Sequence, residues 1–368
     1  MLKTVATCIS ALLLLASPTY GAGKNVKAGV VADVTGGAAV YGVSQRNAYQ
    51  LAMDDIKAGI INTGGNGLSF DVGDNATDPN QAANLFQRFT TDGSTIVLGP
   101  TLSAEAFKAQ PIAVRANIPV LATSNTAPGI TRQGPCVFRD ALSEEQVVPA
   151  TVAKTYASWK YKTAAIIYGD DNAFTKTDFN VFSDELKKRG VNIVDVETYH
   201  TKDVDFQAQL TKIKAAKPDV LVLGALFDEA TKIIAQANTL GLRTHMVGGN
   251  GLNSTKMVDA AGQAAVGAVV GAAWFIDNNY SGNKAFVARY KKKFGSLPDQ
   301  FAAQSYAAAQ VIAQLVRGGA STPSEMCDGL RGLKLAQTVL GPIAFDANRD
   351  VRSAPVILKI VPGGFAYF

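Results

Sequence analysis

The sequence predicts an α/β protein built as two lobes, and three observations carry that expectation. From Lys24 onward, apolar strand-like runs alternate with amphipathic helical ones, the signature of mostly parallel sheets covered on both faces. The chain has 368 residues, more than one hydrophobic core usually supports. Near Gly267 the alternation gives way to three helices with little strand between them. That tail is expected to complete structures begun earlier, so that the lobes exchange chain segments.

The strand runs, in order, are VKAGVVA from Val26, LSFDVGD from Leu68, TIVLG from Thr95, IPVLATS from Ile118 and TAAIIYG from Thr163. VNIVDVETY from Val191, PDVLVLGAL from Pro218, HMVGG from His245 and GAVVGAAWF from Gly267 follow. Helices are read over 45–58, 80–92, 144–159, 177–189, 206–216 and 229–240. In the first, Ala48, Leu51, Ala52 and Asp55 mark the passage from an apolar stripe to a polar face. Gly190 and Gly241 stand where helix C-caps favour glycine. After Gly267, helices over 286–294, 302–317 and 324–330 precede two terminal runs, TVLGPIAF and APVILKIV.

The N-terminus reads as an export signal over 1–22. Lys3 precedes an apolar run from Val5 to Leu15, then come the breaker Ser17-Pro18 and the small residues Gly21, Ala22 and Gly23, with cleavage expected after Gly21 or Ala22. The run is too short to span a bilayer, and Cys8 lies inside it. Cys136 and Cys327 then remain, either paired, as an oxidising compartment favours, or as two separate structural thiols. Hydrophobic residues at 47 % and charged ones at 18 % describe a globular protein without long disorder. The net charge is +5, and the one basic run, Lys291-Lys292-Lys293, ends a helical stretch where cations favour the helix C-terminus. With no basic patch interleaved with aromatics, nucleic acid is not an expected partner.

Searched by mechanics, the chain shows no G-x-S-x-G elbow, no phosphate-binding G-x-x-x-x-G-K-[ST], no G-x-G-x-x-G after the first strand and no H-E-x-x-H. Its two histidines, His200 and His245, are isolated at strand ends. No cofactor or metal is expected. Asp54 and Asp55 are neighbours on a helix, point in different directions and are expected on a solvated face. Asp170 and Asp171 follow a strand, where open α/β sheets bind ligands, so pocket duty stays open for them.

Two stretches end a strand in small hydroxyl residues: TIVLGPTLSAE over 95–105 and IPVLATSNTAP over 118–128. Short side chains let backbone N–H groups approach an anion while hydroxyls donate alongside them. Ser103 is expected to cap a helix starting at Ala104 and leave its free N–H groups facing that anion. Ser124 and Thr126 follow the next strand, and Tyr41, Phe174, Phe227 and Phe301 are candidates either for the cleft wall or for packing. Local turn duty is the plain alternative for the hydroxyls.

Taken together, VKAGVVADVTGGAAVYG, the D-N-A-T-D-P of 74–79, IVLGPTLSAE, IPVLATSNTAPGIT, AIIYGDDNAF, PDVLVLGAL, GLRTHMVGGNGL, QSYAAAQ and TVLGPIAFD resemble, in this order, the type I periplasmic substrate-binding proteins of ABC importers, specifically the leucine/isoleucine/valine-binding family. The resemblance covers essentially the whole mature chain. It implies two Rossmann-like lobes joined by three hinge crossovers, a ligand in the inter-lobe cleft, a periplasmic location, no enzyme activity, an ABC permease as partner and a monomer. Crossovers are expected near Leu142, Trp274 and Gly341, giving lobe 1 over 23–141 plus 275–340 and lobe 2 over 142–274 plus 341–368. The family's carboxylate site matches Leu102, Ser103, Ser124 and Thr126, and its cleft wall matches Tyr41, Phe301, Phe174, Leu226 and Phe227.

One position departs from the pattern. Where amino-acid-binding members commonly place an acid against the ligand's ammonium, this sequence has Asn250. A buried ammonium without an anionic partner is costly. Either Asp170, Asp171 or Asp228 supplies the charge, or the ligand is a carboxylate without an ammonium, for which the cleft aromatics make a ring-bearing acid attractive. An aliphatic amino acid is the alternative ligand, and a sensor for a membrane receptor or an exported enzyme on the same fold are the alternative functions.

Overall fold

The structure, a computed structural model, describes residues 23–368, so the expected signal segment and Cys8 lie outside the described residues. The first sheet is built from β1 (Asn25–Ala32), β2 (Gly67–Asp74), β3 (Ile96–Leu98), β4 (Val120–Ala122) and β5 (Val137–Arg139), all parallel in the order β2-β1-β3-β4-β5. Helices α1 (Ala39–Lys57), α2 (Pro79–Thr91) and α3 (Ser103–Arg115) connect these strands. Its central strands are buried on both faces, which is why they read as continuous apolar runs.

After α4 (Glu144–Trp159) the chain builds a second parallel set in the same winding. This set comprises β6 (Thr163–Gly169), α5 (Ala173–Lys188), β7 (Asn192–Tyr199), α6 (Gln207–Ala216), β8 (Val220–Gly224), α7 (Phe227–Thr239), β9 (His245–Gly248), α8 (Met257–Ala261) and β10 (Val269–Ala272). The strand order is β7-β6-β8-β9-β10. The chain then returns to the first core with α9 (Asn283–Phe294), α10 (Gln300–Arg317), α11 (Pro323–Arg331) and the hairpin β11 (Ala336–Thr338) with β12 (Gly341–Ile343). Finally β13 (Val356–Val361) pairs antiparallel with β10, and β14 (Gly364–Tyr367) with β13. The two α/β lobes do exchange segments, as the broken alternation predicts.

The last crossing lies later than the expected Gly341. Ile343 and Val351 are still buried in the first core, and Asp350 bridges to Arg139, whose guanidinium is buried and pairs with Asp350 at 2.7 Å. Arg349 adds hydrogen bonds to the carbonyls of Val137 and Thr131 at 3.2 and 2.9 Å. Only at Val356 does the chain join the second sheet. Breaking a buried pair such as Arg139–Asp350 from one side costs about 3–5 kcal/mol, enough to fix this segment on lobe 1.

Asp54 and Asp55 separate. Asp54 is exposed and pairs with Lys293, whereas Asp55 is buried, accepts from Arg289 Nε at 3.1 Å and from the Tyr306 hydroxyl, and so pins α1 to α9 and α10. The polar face expected at Asp55 is in fact a helix contact, made possible because the charge finds both partners. Cys136 and Cys327 form a disulfide with Cα atoms 5.5 Å apart, joining the start of β5 to α11 across 191 residues of chain. Closing so long a loop restricts the unfolded chain strongly. Replacing both cysteines by serine is expected to lower unfolding free energy by about 3–5 kcal/mol with ligand affinity little changed; an unchanged denaturation midpoint would contradict this.

Candidate ligand-binding cleft

Both lobes wind in the order 2-1-3-4-5, in which ligands bind beyond the carboxyl ends of the strands at the point where the winding reverses. The loops after β1, β3 and β4 of lobe 1 and after β6, β8 and β9 of lobe 2 meet across one cavity. Lobe 1 lines it with Tyr41, Thr101, Leu102, Ser103, Ser124 and Thr126, together with Phe301 from α10. Lobe 2 lines it with Phe174, Leu226, Asn250 and Gly251. The space between the side chains is about 280 Å³. A larger, open depression of about 1070 Å³ lies beside the disulfide, lined by Val114, Pro135, Cys136 and Arg331 rather than by strand ends.

Nine of the ten expected site residues therefore line one cavity. The tenth, Phe227, packs behind it on Tyr41, Leu102 and Phe301, and its N–H donates to the Tyr41 hydroxyl at 2.7 Å. That hydroxyl in turn donates to the Gly251 carbonyl at 2.6 Å, while the Tyr41 and Phe301 rings lie 4.5 Å apart. One buried phenol thus ties lobe 1 to two loops of lobe 2. Gly251 admits no side chain, since a Cβ would stand 2.1 Å from the Ala225 carbonyl oxygen.

The hydroxyl cradle differs in detail from the expectation. Ser103 is the first residue of α3 rather than its cap: Leu102 is extended, and the Glu105 carboxyl takes the Leu102 N–H at 3.1 Å. Ser103 Oγ accepts from Ala127 N at 3.3 Å, which leaves its own hydrogen free to donate. Ser124 Oγ instead donates to the Thr101 carbonyl at 2.7 Å and accepts from Gln45 Nε2 at 3.1 Å, so it braces the β3 and β4 loops against each other. Thr101 and Gln45, both outside the predicted set, complete this brace at 2.7 Å.

Behind the cradle, Asp33 and Glu105 are buried side by side. Burial pushes Asp33 up to about 6, and burial together with the neighbouring Asp33 raises Glu105 well above the usual range. Both shifts favour the neutral carboxyls, which oppose the field of the α3 N-terminus less than two carboxylates would.

The acids offered as partners for an ammonium do not reach the cavity. Asp171 accepts from Thr201 N and Oγ1 at 3.0 and 2.7 Å, Asp170 faces His200 at 3.6 Å, and Asp228 pairs with Lys232 at 3.2 Å. The side chain at position 250 turns toward Gln300, whose Nε2 donates to Asn250 Oδ1. Two buried carboxyls lie behind it: Glu144 Oε1 accepts from Asn250 N at 3.1 Å, and Asp178 sits against Gly249. Glu144 also donates its own N–H to the Thr126 carbonyl at 3.0 Å, so one residue holds the loops of both lobes. Sequence reasoning missed Glu144, Asp178 and Gln300 because each looks like an ordinary polar helix residue.

This is the architecture of a two-lobed binding protein with a ligand cleft between its lobes. The sequence profile of the periplasmic binding protein family matches residues 25–358, and the chain belongs to that family. It is a solute-binding protein of the family that includes the leucine/isoleucine/valine-binding proteins. A "Leu/Ile/Val-binding protein homolog 1" of Brucella melitensis is 28% identical over 354 residues, which cover 94% of this chain and 93% of that one. Among solved structures, the branched-chain amino acid transporter substrate-binding protein LivJ of Streptococcus pneumoniae in complex with isoleucine superposes with a TM-score of 0.85 at 26% identity, covering 93% of this chain and 98% of that one. A solute-binding protein of an ABC transporter from R. palustris in complex with benzoate shares the fold with a TM-score of 0.84 at 22% identity, over 93% and 95% of the two chains.

Burial pushes Glu144 up to about 7, against 4.5 for a free glutamate, and burial together with the neighbouring Glu144 raises Asp178 well above the usual carboxyl range. A carboxyl whose folded value is raised contributes stability below its unfolded value that is lost as pH rises through the folded one. The stability of the wild type relative to Glu144→Gln is therefore expected to fall between pH 5 and pH 8. Parallel denaturation curves of the two proteins at both pH values would refute this.

Proposed function

We propose that the protein is the extracytoplasmic receptor of an ABC uptake system, capturing a small carboxylate by lobe closure and delivering it, as a monomer, to a membrane permease. The favoured ligand is an aromatic or other ammonium-free carboxylate. The observation that carries this reading is the composition of the cavity: a hydroxyl and a helix N-terminus converge from lobe 1, and none of the lining residues is an acid. The periplasm is the location that the family implies, and among the described residues no helix is long and apolar enough to cross a membrane.

Energetics favour a shared load. Three charge-assisted hydrogen bonds at about 1.5–3 kcal/mol each give about 4–9 kcal/mol before association costs, while micromolar binding needs about 8 kcal/mol net. A ring of about 150 Å² adds roughly 4 kcal/mol against the walls formed by Phe174, Leu226 and Phe301. The benzoate complex of the R. palustris protein shows that this fold accommodates such a ligand.

The second reading is an aliphatic amino acid, supported by the isoleucine complex of the S. pneumoniae protein and by the buried carboxyls Glu144 and Asp178 behind Asn250. A sensory role would show in a neighbouring receptor gene, and an enzymatic one in turnover of the bound ligand. Thermal-shift screening of aliphatic amino acids against aromatic carboxylates discriminates the ligand classes: aromatic acids are expected to raise Tm, and stabilisation by leucine or valine alone would overturn the favoured reading. Ser103→Ala combined with Thr126→Ala is expected to weaken ligand binding at least tenfold with Tm of the free protein nearly unchanged, and unaltered affinity would reduce both residues to turn formers.

A further inference from the structure

The polarity of the cavity beside the cradle is set from outside it, by Gln300 at the start of α10. Its Oε1 accepts from the backbone N–H of Ala273 at 2.6 Å and from Asn253 Nδ2 at 3.0 Å. A backbone N–H can only donate, so this oxygen has a fixed place and the Gln300 amide cannot turn over. Its Nε2 must then face Asn250, and Asn250 must answer with Oδ1, as it does. The remaining group of that buried side chain, Nδ2, has no partner among the described residues and is a donor only.

The position of Asn250 is fixed as well. Glu144 binds the Thr126 carbonyl with its N–H at 3.0 Å and the Asn250 N–H with its carboxyl at 3.1 Å, so one residue links the cradle loop to Asn250. Asn250 lines the same small cavity as Ser103, Ser124 and Thr126, so a ligand group that meets its Nδ2 lies close to the carboxylate. We infer that Gln300, acting through Asn250, makes this cleft select acids bearing a hydrogen-bond acceptor at the carbon next to the carboxylate, namely 2-oxo or 2-hydroxy acids, over the amino acids of the same skeleton. An ammonium there would face a donor hydrogen and leave both groups unpaired, which desolvation makes costly. The inference rests on the carboxylate-capture reading above and narrows its ligand class.

Gln300→Glu tests the relay. The introduced carboxylate still accepts from Ala273 and Asn253, but its second oxygen is an acceptor, so Asn250 has to turn its Nδ2 toward it and present Oδ1 to the ligand. Asn250→Asp tests the same polarity without touching Gln300. Calorimetric titration of the full mature chain with phenylpyruvate, phenyllactate, 3-phenylpropanoate and phenylalanine, and with 4-methyl-2-oxopentanoate and leucine, gives the readout. The wild type is expected to bind the oxo or hydroxy acids at least tenfold tighter than the matched amino acids and than unsubstituted 3-phenylpropanoate. Each variant is expected to narrow the acid-to-amino-acid ratio at least tenfold. Equal affinity for phenylpyruvate and 3-phenylpropanoate, tighter binding of the amino acids, or an unchanged ratio in both variants overturns the inference while leaving carboxylate capture intact. Binding of none of these carboxylates to the wild type overturns the capture reading itself.

Discussion

A chain of buried hydrogen bonds runs from the Thr126 carbonyl through Glu144 and Asn250 to Gln300 and on to Asn253 and Ala273. Everything distinctive about the cleft depends on it. Buried polar groups must find partners, and each link here consumes one donor or acceptor whose identity is dictated by the link before it. The relay therefore positions the second-lobe wall and decides which polar atoms remain for a ligand. It also joins segments that the chain visits far apart, with Gln300 placed only after the chain has returned from the second sheet to the first.

The rest of the cleft obeys the same economy. Tyr41 spends its hydroxyl twice, toward Gly251 and from Phe227, so its ring becomes wall and its oxygen becomes an inter-lobe tie. Ser124 gives its hydrogen to Thr101, which leaves the first turn of α3 and Ser103 as the better-placed donors. The buried acids Asp33 and Glu105 weigh less against an anion than two carboxylates would, because burial raises both and favours their neutral forms.

Much of this was legible in the sequence. The helix over Glu144–Trp159 and the strand over Thr163–Gly169 fall where periodicity and apolar runs place them. Helix α5 starts at Ala173, four residues before the expected 177, because Asn172 caps it by accepting from Phe174 N at 2.9 Å. Strand β5 escaped notice since three residues carry too little pattern, and β14 because its glycine-led GFAY lacks an apolar run. The cavity wall was legible through segment order. Its polarity was not, because the meaning of Gln300 lies in partners 27, 47 and 50 residues away, which no local pattern encodes. Asp55 was misread for a related reason: its charge looks solvated until Arg289 and Tyr306 arrive from the other end of the chain.

The interleaved path of the chain has a temporal meaning. The first lobe lacks its most deeply buried helix, α10, until residue 317, and the second sheet gains its last two strands only from residues 356–367. A polypeptide emerging N-terminus first can complete neither core until nearly all of it is available, so folding is deferred to the end of synthesis. Such a chain stays open and threadable for longer than two consecutive domains would.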